Sequence, residues 1–208
     1  MSLYLSCLTL NPRHNRTCSE VDHPYELHRT ICKAWEHPGP ARILFRTETE
    51  PGVVRVIIQS LTPPDWSRLE VPADYLSQHD GPKQVHLDGL QEGRALAFRL
   101  RCRPSKRIGE TGNLNEGKRK SLTQKDEIFA WLHRKAEESG FKVVQAAFDR
   151  VYWHDSKEGR SPKPLGAVQF DGVLVVTDPD RLREAVRNGI GPQKAFGFGL
   201  LSLAPLRE

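Results

Sequence analysis

Within one nine-residue stretch, Tyr25-Glu-Leu-His28-Arg29-Thr-Ile-Cys-Lys33, stand a tyrosine, a histidine and two cations that could together move protons and hold negative charge. Tyr25 and His28 are three apart and Tyr25 and Arg29 four apart, so on a helix they are surface neighbours. Lys33 is five beyond His28, about 140° round the helix, and meets it only through its long side chain or a bent ligand. Metal-free cleavage of RNA needs a base for the ribose 2′-hydroxyl, an acid for the 5′-oxygen and positive charge near the phosphorane. Histidine titrates close to neutrality and supplies either proton transfer. Tyrosine can donate, accept or orient, and lysine or arginine stabilises transition-state charge. On spacing alone, a solvent-facing Tyr/His/Arg set is more often plain helix surface, so the cluster needs support from elsewhere.

Two other segments supply it. In Gly189-Ile-Gly191-Pro-Gln-Lys194-Ala-Phe-Gly197-Phe-Gly199, the glycines Gly191, Gly197 and Gly199 let backbone approach a ligand, and successive N–H groups can form an anion-binding nest. Lys194 would add charge, and Phe196 and Phe198 stacking. The glycines follow a helix and precede a strand, the reverse of a dinucleotide fingerprint; the plain alternative is a helix cap at Gly189 and a tight turn. Between residues 101 and 120, Arg101, Arg103, Lys106, Arg107, Lys118, Arg119 and Lys120 face only Glu110 and Glu116. That local excess equals the formal net charge of the whole chain, +5, and charge so concentrated is the footprint of phosphate contacts.

The elements that must carry these residues are legible from periodicity and turn signals. Leu3–Leu10 reads as a strand and Asn11 to Glu20 as a polar, basic loop. A helix starts near Asp22-His23-Pro24, with Asp22 or His23 as cap, Pro24 in its first turn and Leu27, Ile31, Ala34 and Trp35 as its buried stripe. Pro38-Gly39-Pro40 stops it. Ala41–Thr49 and Val53–Ser60 are strands, 63 to 81 holds an irregular helix, and Lys83–Leu87 another strand. The second half repeats the order: a strand at Ala95–Cys102, and a capping-box-like Thr123-Gln-Lys-Asp126 opening a helix to Ser139 with Ile128, Trp131, Leu132 and Lys135 or Ala136 inward. Strands Phe141–Val151 and Leu165–Thr177 follow. Asp178-Pro179 opens a short helix with Leu182, Ala185 and Val186 inward, and Phe198–Ala204 is the last strand. The fold class is therefore α+β: two tandem ferredoxin-like, RNA-recognition-like βαββαβ units, over residues 1–92 and 93–208. Such open sheets leave a face for RNA.

The totals exclude several classes. At 208 residues, 38% hydrophobic and 27% charged, the chain is neither disordered nor membrane-spanning; no apolar run nears the ~20 residues of a transmembrane helix. Met1–Leu10 lacks a basic start and a cleavage site and reads as a strand rather than a signal peptide. Cys7, Cys18, Cys32 and Cys102 show no paired spacing, as expected of reduced thiols in a cytoplasm. Cys18, His23, His28 and Cys32 match no usual zinc-ligand spacing, and Asp126, Glu127, Asp178 and Asp180 suit helix starts better than magnesium. No metal or cofactor is expected.

His23-Pro-Tyr25-Glu-Leu-His28-Arg-Thr, Pro63-Pro-Asp-Trp66, Gly117-Lys-Arg-Lys120 and the glycine-rich stretch running on to Pro205 occur in one order over the full length. Together they resemble the CasE (Cse3) family, the repeat-processing endoribonucleases of type I-E CRISPR systems. The resemblance implies a CRISPR repeat hairpin as substrate, cleavage at the 3′ base of its stem, and 2′,3′-cyclic phosphate and 5′-hydroxyl ends. It also implies a product-bound enzyme, monomeric when free, that joins the other subunits of the surveillance complex (Cascade). By the same resemblance His28, Tyr25 and Lys33 are catalytic, with base and acid left open between His28 and Tyr25. Arg29, Arg103, Lys106, Arg107, Lys118, Arg119, Lys120, Lys157, Arg160, Lys163, Gly191, Lys194, Gly197 and Gly199 are the RNA-binding set. Cys32 departs from the small polar residue expected there. A binding protein without catalysis and a metal-dependent nuclease are the rival readings; only the second predicts cutting that EDTA abolishes.

Overall fold

The computed structural model describes residues 3–108, 118–151, 154–155, 163–164 and 166–206. Strand β1 (Leu3–Leu10) buries Leu3, Leu8 and Leu10. The segment expected as a loop next contains helix α1 (Asn15–Asp22), capped by the His14 ring, which accepts from the Arg16 N–H at 3.1 Å. A histidine cap and a helix burying only Thr17 and Glu20 leave neither a usual cap residue nor an apolar stripe to read. Helix α2 (Pro24–Cys32) begins at proline as expected, with His23 in the cap position; the His23 ring, however, lies 2.8 Å from the Ser19 carbonyl and makes no cap bond to α2. Leu27, Ile31, Ala34 and Trp35 are all buried. Pro38-Gly-Pro, expected only to stop a helix, forms a single turn of its own, α3 (Pro38–Ala41), ended by Arg42 at φ 48.

Strands β2 (Leu44–Glu50) and β3 (Val53–Ser60) make a hairpin closed by Gly52 at φ 77. The irregular helix expected over 63–81 is absent. One 3-10 turn, Trp66–Arg68, occupies that stretch, and strand β4 begins at residue 76 rather than 83 (Leu76–Val85). Pro63, Pro64 and Pro72 disfavour a helix there, and β4 is exposed along nearly all its length, so no alternation marks it. Trp66 of this turn is buried, packing edge-on to Trp35 at 5.8 Å. All four strands pair antiparallel in the order β2-β3-β1-β4, the ferredoxin-like order.

The second half builds the same sheet. Strands β5 (Ala95–Cys102), β8 (Phe141–Val151), β11 (Ala167–Val176) and β12 (Leu201–Pro205) pair antiparallel in the order β12-β5-β11-β8. Between β5 and β8 lie a small hairpin, β6 (Ser105–Ile108) with β7 (Lys118–Ser121), and helix α4 (Lys125–Glu138). The cap of α4 is Gln124, without a side-chain cap bond, so the expected capping box does not form. Ile128, Trp131, Leu132 and Ala136 are its buried face. Two-residue strands β9 (His154–Asp155) and β10 (Lys163–Pro164) pair with each other. Helix α5 (Pro179–Asn188) is capped by Asp178, which accepts from the N–H groups of Asp180 and Arg181, and it ends at Gly189.

Polar contacts bind the two halves. Gln59 Nε2 donates to the Val186 carbonyl at 2.7 Å, Arg46 Nη1 to Ser202 Oγ at 2.9 Å and Arg101 Nη1 to the Thr47 carbonyl at 2.6 Å. Glu48 bridges Arg46 and Arg99. Burial would raise the Glu48 carboxyl, but these two guanidinium groups outweigh it and hold it below the usual carboxylate range. The almost fully buried Arg46 is thus a compensated charge.

Candidate functional site

Tyr25, His28, Cys32 and Lys33 border one open groove of ≈ 610 Å³, joined by Arg16 from α1 and by Arg29. Because Leu27 and Ile31 take the inner side of α2, positions 25, 28, 29 and 32 must face outward. Tyr25 and His28 lie near-parallel, rings 6.3 Å apart at 22°. Lys33 is the C-cap of α2, its backbone still in the helical region, and it lines the same groove. Arg29 is exposed and pairs with Glu26 at 3.0 Å.

His28 is half-buried, and burial pushes its pKa below the ordinary imidazole value; the ring is thus neutral at pH 7 and free to accept a proton. Cys32 Sγ lies 3.6 Å from His28 Nε2 and 3.8 Å from Nδ1. Burial raises the Cys32 thiol, so it stays protonated and offers the imidazole a weak, uncharged neighbour.

The glycine-rich stretch packs on this helix, although it lies far along the chain from it. A short turn, Lys194–Phe196, lies against α2 and β2, with the Phe196 ring 5.8 Å from Tyr25. Phe45 of β2 completes the cluster from below, 6.0 Å from His28. Gly197 sits at φ 79, where a Cβ would stand 3.2 Å from the Phe45 ring, and Gly199 at φ 86, where a Cβ would stand 2.9 Å from the Ile190 carbonyl oxygen. Both are buried; they let the chain fold tightly on itself. Phe198, expected to stack on a ligand, is buried as well and is part of the core instead. Gly191 is only half-buried, and Lys194 Nζ donates to its carbonyl at 2.8 Å.

The basic segment forms the β6–β7 hairpin, which sets Lys106 opposite Lys120 and Arg107 opposite Arg119. Like charges facing across strands are unfavourable without a counter-charge; Lys106 has one in Glu127, at 2.7 Å. Arg103, at the hairpin's base, donates to Ser121 Oγ and to Gln193 Oε1, tying the hairpin to the glycine-rich stretch. Lys157 and Arg160 lie outside the described residues, as do the side chains of Lys118 and Lys163.

Sequence reasoning missed the support beneath α2. The buried carboxylate of Glu20 accepts hydrogen bonds from Arg16 Nε (2.8 Å), Thr30 Oγ1 (2.6 Å) and the Tyr75 hydroxyl. Arg16 Nη2 in turn donates to Thr30 Oγ1 at 2.7 Å, and its guanidinium lies over the Tyr75 ring. Burial, then Glu20, hold the Tyr75 hydroxyl firmly protonated. One carboxylate thereby links α1, α2 and the approach to β4. Phe45 was missed as well, an apolar strand residue with nothing to distinguish it from the core.

Comparison with known proteins fits this geometry. Residues 3–205 match the family described as CRISPR associated protein. The chain is 37% identical to the CRISPR-associated endoribonuclease Cse3 of Thermus thermophilus, covering 98% of this chain and all of that protein. It is 34% identical to the CRISPR system Cascade subunit CasE of Escherichia coli, over 88% of this chain and 92% of the relative. The solved structure of Thermus thermophilus Cse3 bound to an RNA representing a pre-cleavage complex superposes with a TM-score of 0.84, 37% identity and 99% and 100% coverage of the two chains.

Proposed function

We propose, on the premise that this chain belongs to the CasE (Cse3) family of CRISPR-associated proteins, that it is an endoribonuclease processing precursor CRISPR RNA. It binds the repeat hairpin and cuts at the 3′ base of the stem, then remains on its product as a subunit of the surveillance complex, Cascade. Its place is the cytoplasm, and it is a monomer when free.

The observation that carries this reading is the near-parallel Tyr25–His28 pair in an open groove that Lys33 also lines. RNA laid along the groove brings one ribose 2′-oxygen in line with the adjacent phosphorus. The 2′-oxygen loses its proton and attacks, the bond to the 5′-oxygen breaks, and that oxygen takes up a proton. A 2′,3′-cyclic phosphate and a 5′-hydroxyl result. His28 and Tyr25 share the two proton transfers. Lys33 balances the charge that gathers on the phosphorane, the largest contribution such sites make, and Arg29 holds the RNA backbone. The β6–β7 hairpin and Lys194 grip the backbone away from the scissile bond, with Gly197 and Gly199 shaping the turn that presents Lys194. No step calls for a metal or a cofactor.

The test is cleavage of repeat RNA from the array beside the gene, with EDTA present. Wild type is expected to cut, His28→Ala to bind without cutting, and a substrate with 2′-deoxyribose at the scissile nucleotide to be bound intact. Cutting that EDTA abolishes, or that survives in His28→Ala, overturns the mechanism.

A further inference from the structure

The Lys194–Phe196 turn packs on helix α2, yet none of its three residues is buried. A segment outside the core is held by specific contacts rather than by apolar burial. Within the turn, the Phe196 N–H donates to the Gln193 carbonyl at 3.0 Å, so the placement of Gln193 sets that of Phe196. Gln193 is fixed in turn from outside the segment. Its Oε1 accepts from Arg103 Nη1 at 3.2 Å, while Arg103 Nε donates to Ser121 Oγ at 2.7 Å. One planar guanidinium, engaged through two of its nitrogens, thus bonds both the last residue of β7 and the residue that opens the turn. At the far end of the turn the Phe196 ring lies 5.8 Å from that of Tyr25, at 33°, inside the range of aromatic pairs. Tyr25 is 48% exposed, so few neighbours select its rotamer. The Phe196 ring and the His28 imidazole are two of them.

We infer that Gln193 is a positioning residue for the cleavage reaction: by accepting the Arg103 hydrogen bond it fixes the Lys194–Phe196 turn to the β6–β7 hairpin and so holds Phe196 where it orients the Tyr25 ring. This rests on the proposed RNA-processing function. The contacts run without a gap from Ser121 to Arg103, from Arg103 to Gln193, and through the turn from Phe196 to Tyr25. They join the hairpin that grips the RNA to the tyrosine that shares in proton transfer. Gln193 acts through Phe196, and its neutral amide brings no charge to the phosphates. Its loss therefore registers in the cleavage step and not in binding.

The backbone at Gln193 makes a clean test available. Glycine accepts its φ of 63 at no steric cost, so Gln193→Gly removes the amide without straining the turn. Gln193→Glu keeps the side-chain length and an acceptor for Arg103. Affinity is measured on the 2′-deoxy repeat hairpin, which cannot be cut, and the single-turnover rate on the cleavable hairpin at saturating enzyme, all below the thermal midpoints. Gln193→Gly is expected to bind within about twofold of wild type and to cut on the order of ten- to a hundredfold more slowly. Gln193→Glu recovers most of the rate at saturation. Phe196→Leu supplies the second arm: with Gln193 acting through Phe196, the double variant cuts no more slowly than the slower single one. Losses that multiply, a wild-type rate in Gln193→Gly, a loss confined to affinity, or no recovery in Gln193→Glu each overturn the positioning role. Failure of wild type itself to cut repeat RNA overturns the proposed function instead.

Discussion

The Phe45 ring stands 6.0 Å, centroid to centroid, from the His28 imidazole at a tilt of 31°. The same ring lies against Gly197, where a Cβ would stand 3.2 Å from it, so one fully buried side chain touches both the helix that carries the histidine and the end of the turn that carries Lys194.

Phe45 therefore has two measurable effects. Phe45→Ala is expected to lose about 3–5 kcal/mol of stability in urea unfolding, because it leaves a ring-sized cavity. Phe45→Leu loses less than about 1.5 kcal/mol, yet lets the imidazole shift, and single-turnover cleavage falls on the order of ten- to a hundredfold with RNA affinity unchanged. Full cleavage by Phe45→Leu would show that the ring is core and nothing more.

Glu20 is the second support. Removing a buried, paired carboxylate leaves Arg16, Thr30 and Tyr75 without their acceptor, and Glu20→Ala is expected to cost about 3–5 kcal/mol. Glu20→Gln keeps an acceptor and loses less. Unfolding free energies of both variants decide this; an alanine variant within about 1 kcal/mol of wild type would mean the network does not hold α2.

The hairpin prediction concerns salt. Replacing Lys118, Arg119 and Lys120 together by alanine should weaken repeat-RNA binding and flatten its salt dependence, by about 0.9 in slope for each phosphate that is no longer neutralised. Titrations at several salt concentrations read the slope directly, and an unaltered one removes the hairpin from the interface.

The pH prediction follows from burial of His28. Its pKa in the folded chain lies below 6.5, so on acidification the unfolded chain takes up this proton first. The associated stability is fully present above about 6.5 and declines as pH falls through that value toward the folded pKa. Wild type should therefore lose more stability than His28→Gln between about pH 7.5 and about pH 5.5, in paired urea titrations. The acid limb of kcat/KM should likewise have its midpoint below 6.5. Equal pH dependence of the two proteins would place the imidazole in free solvent.

Local chemistry was enough to delimit several elements. Leu3–Leu10, Val53–Ser60 and Phe141–Val151 occur with the bounds their composition and flanking turns indicated, and Pro24 opens α2 where its fixed φ suits a first turn. The outward set Tyr25, His28 and Arg29 followed from helical period, once Leu27 and Ile31 were taken as inward. Where a segment lacked a local signature the reading failed: α1 has a histidine for a cap, and β4 is exposed on both faces. Only the tertiary structure brought Phe196 to Tyr25, Phe45 to His28 and Tyr75 to Glu20. Such meetings depend on how the sheets and helices stack, and side chains that touch across many intervening residues leave no period in the chain between them. The residues able to do chemistry were thus legible in the sequence, whereas what holds them in place was decided by packing.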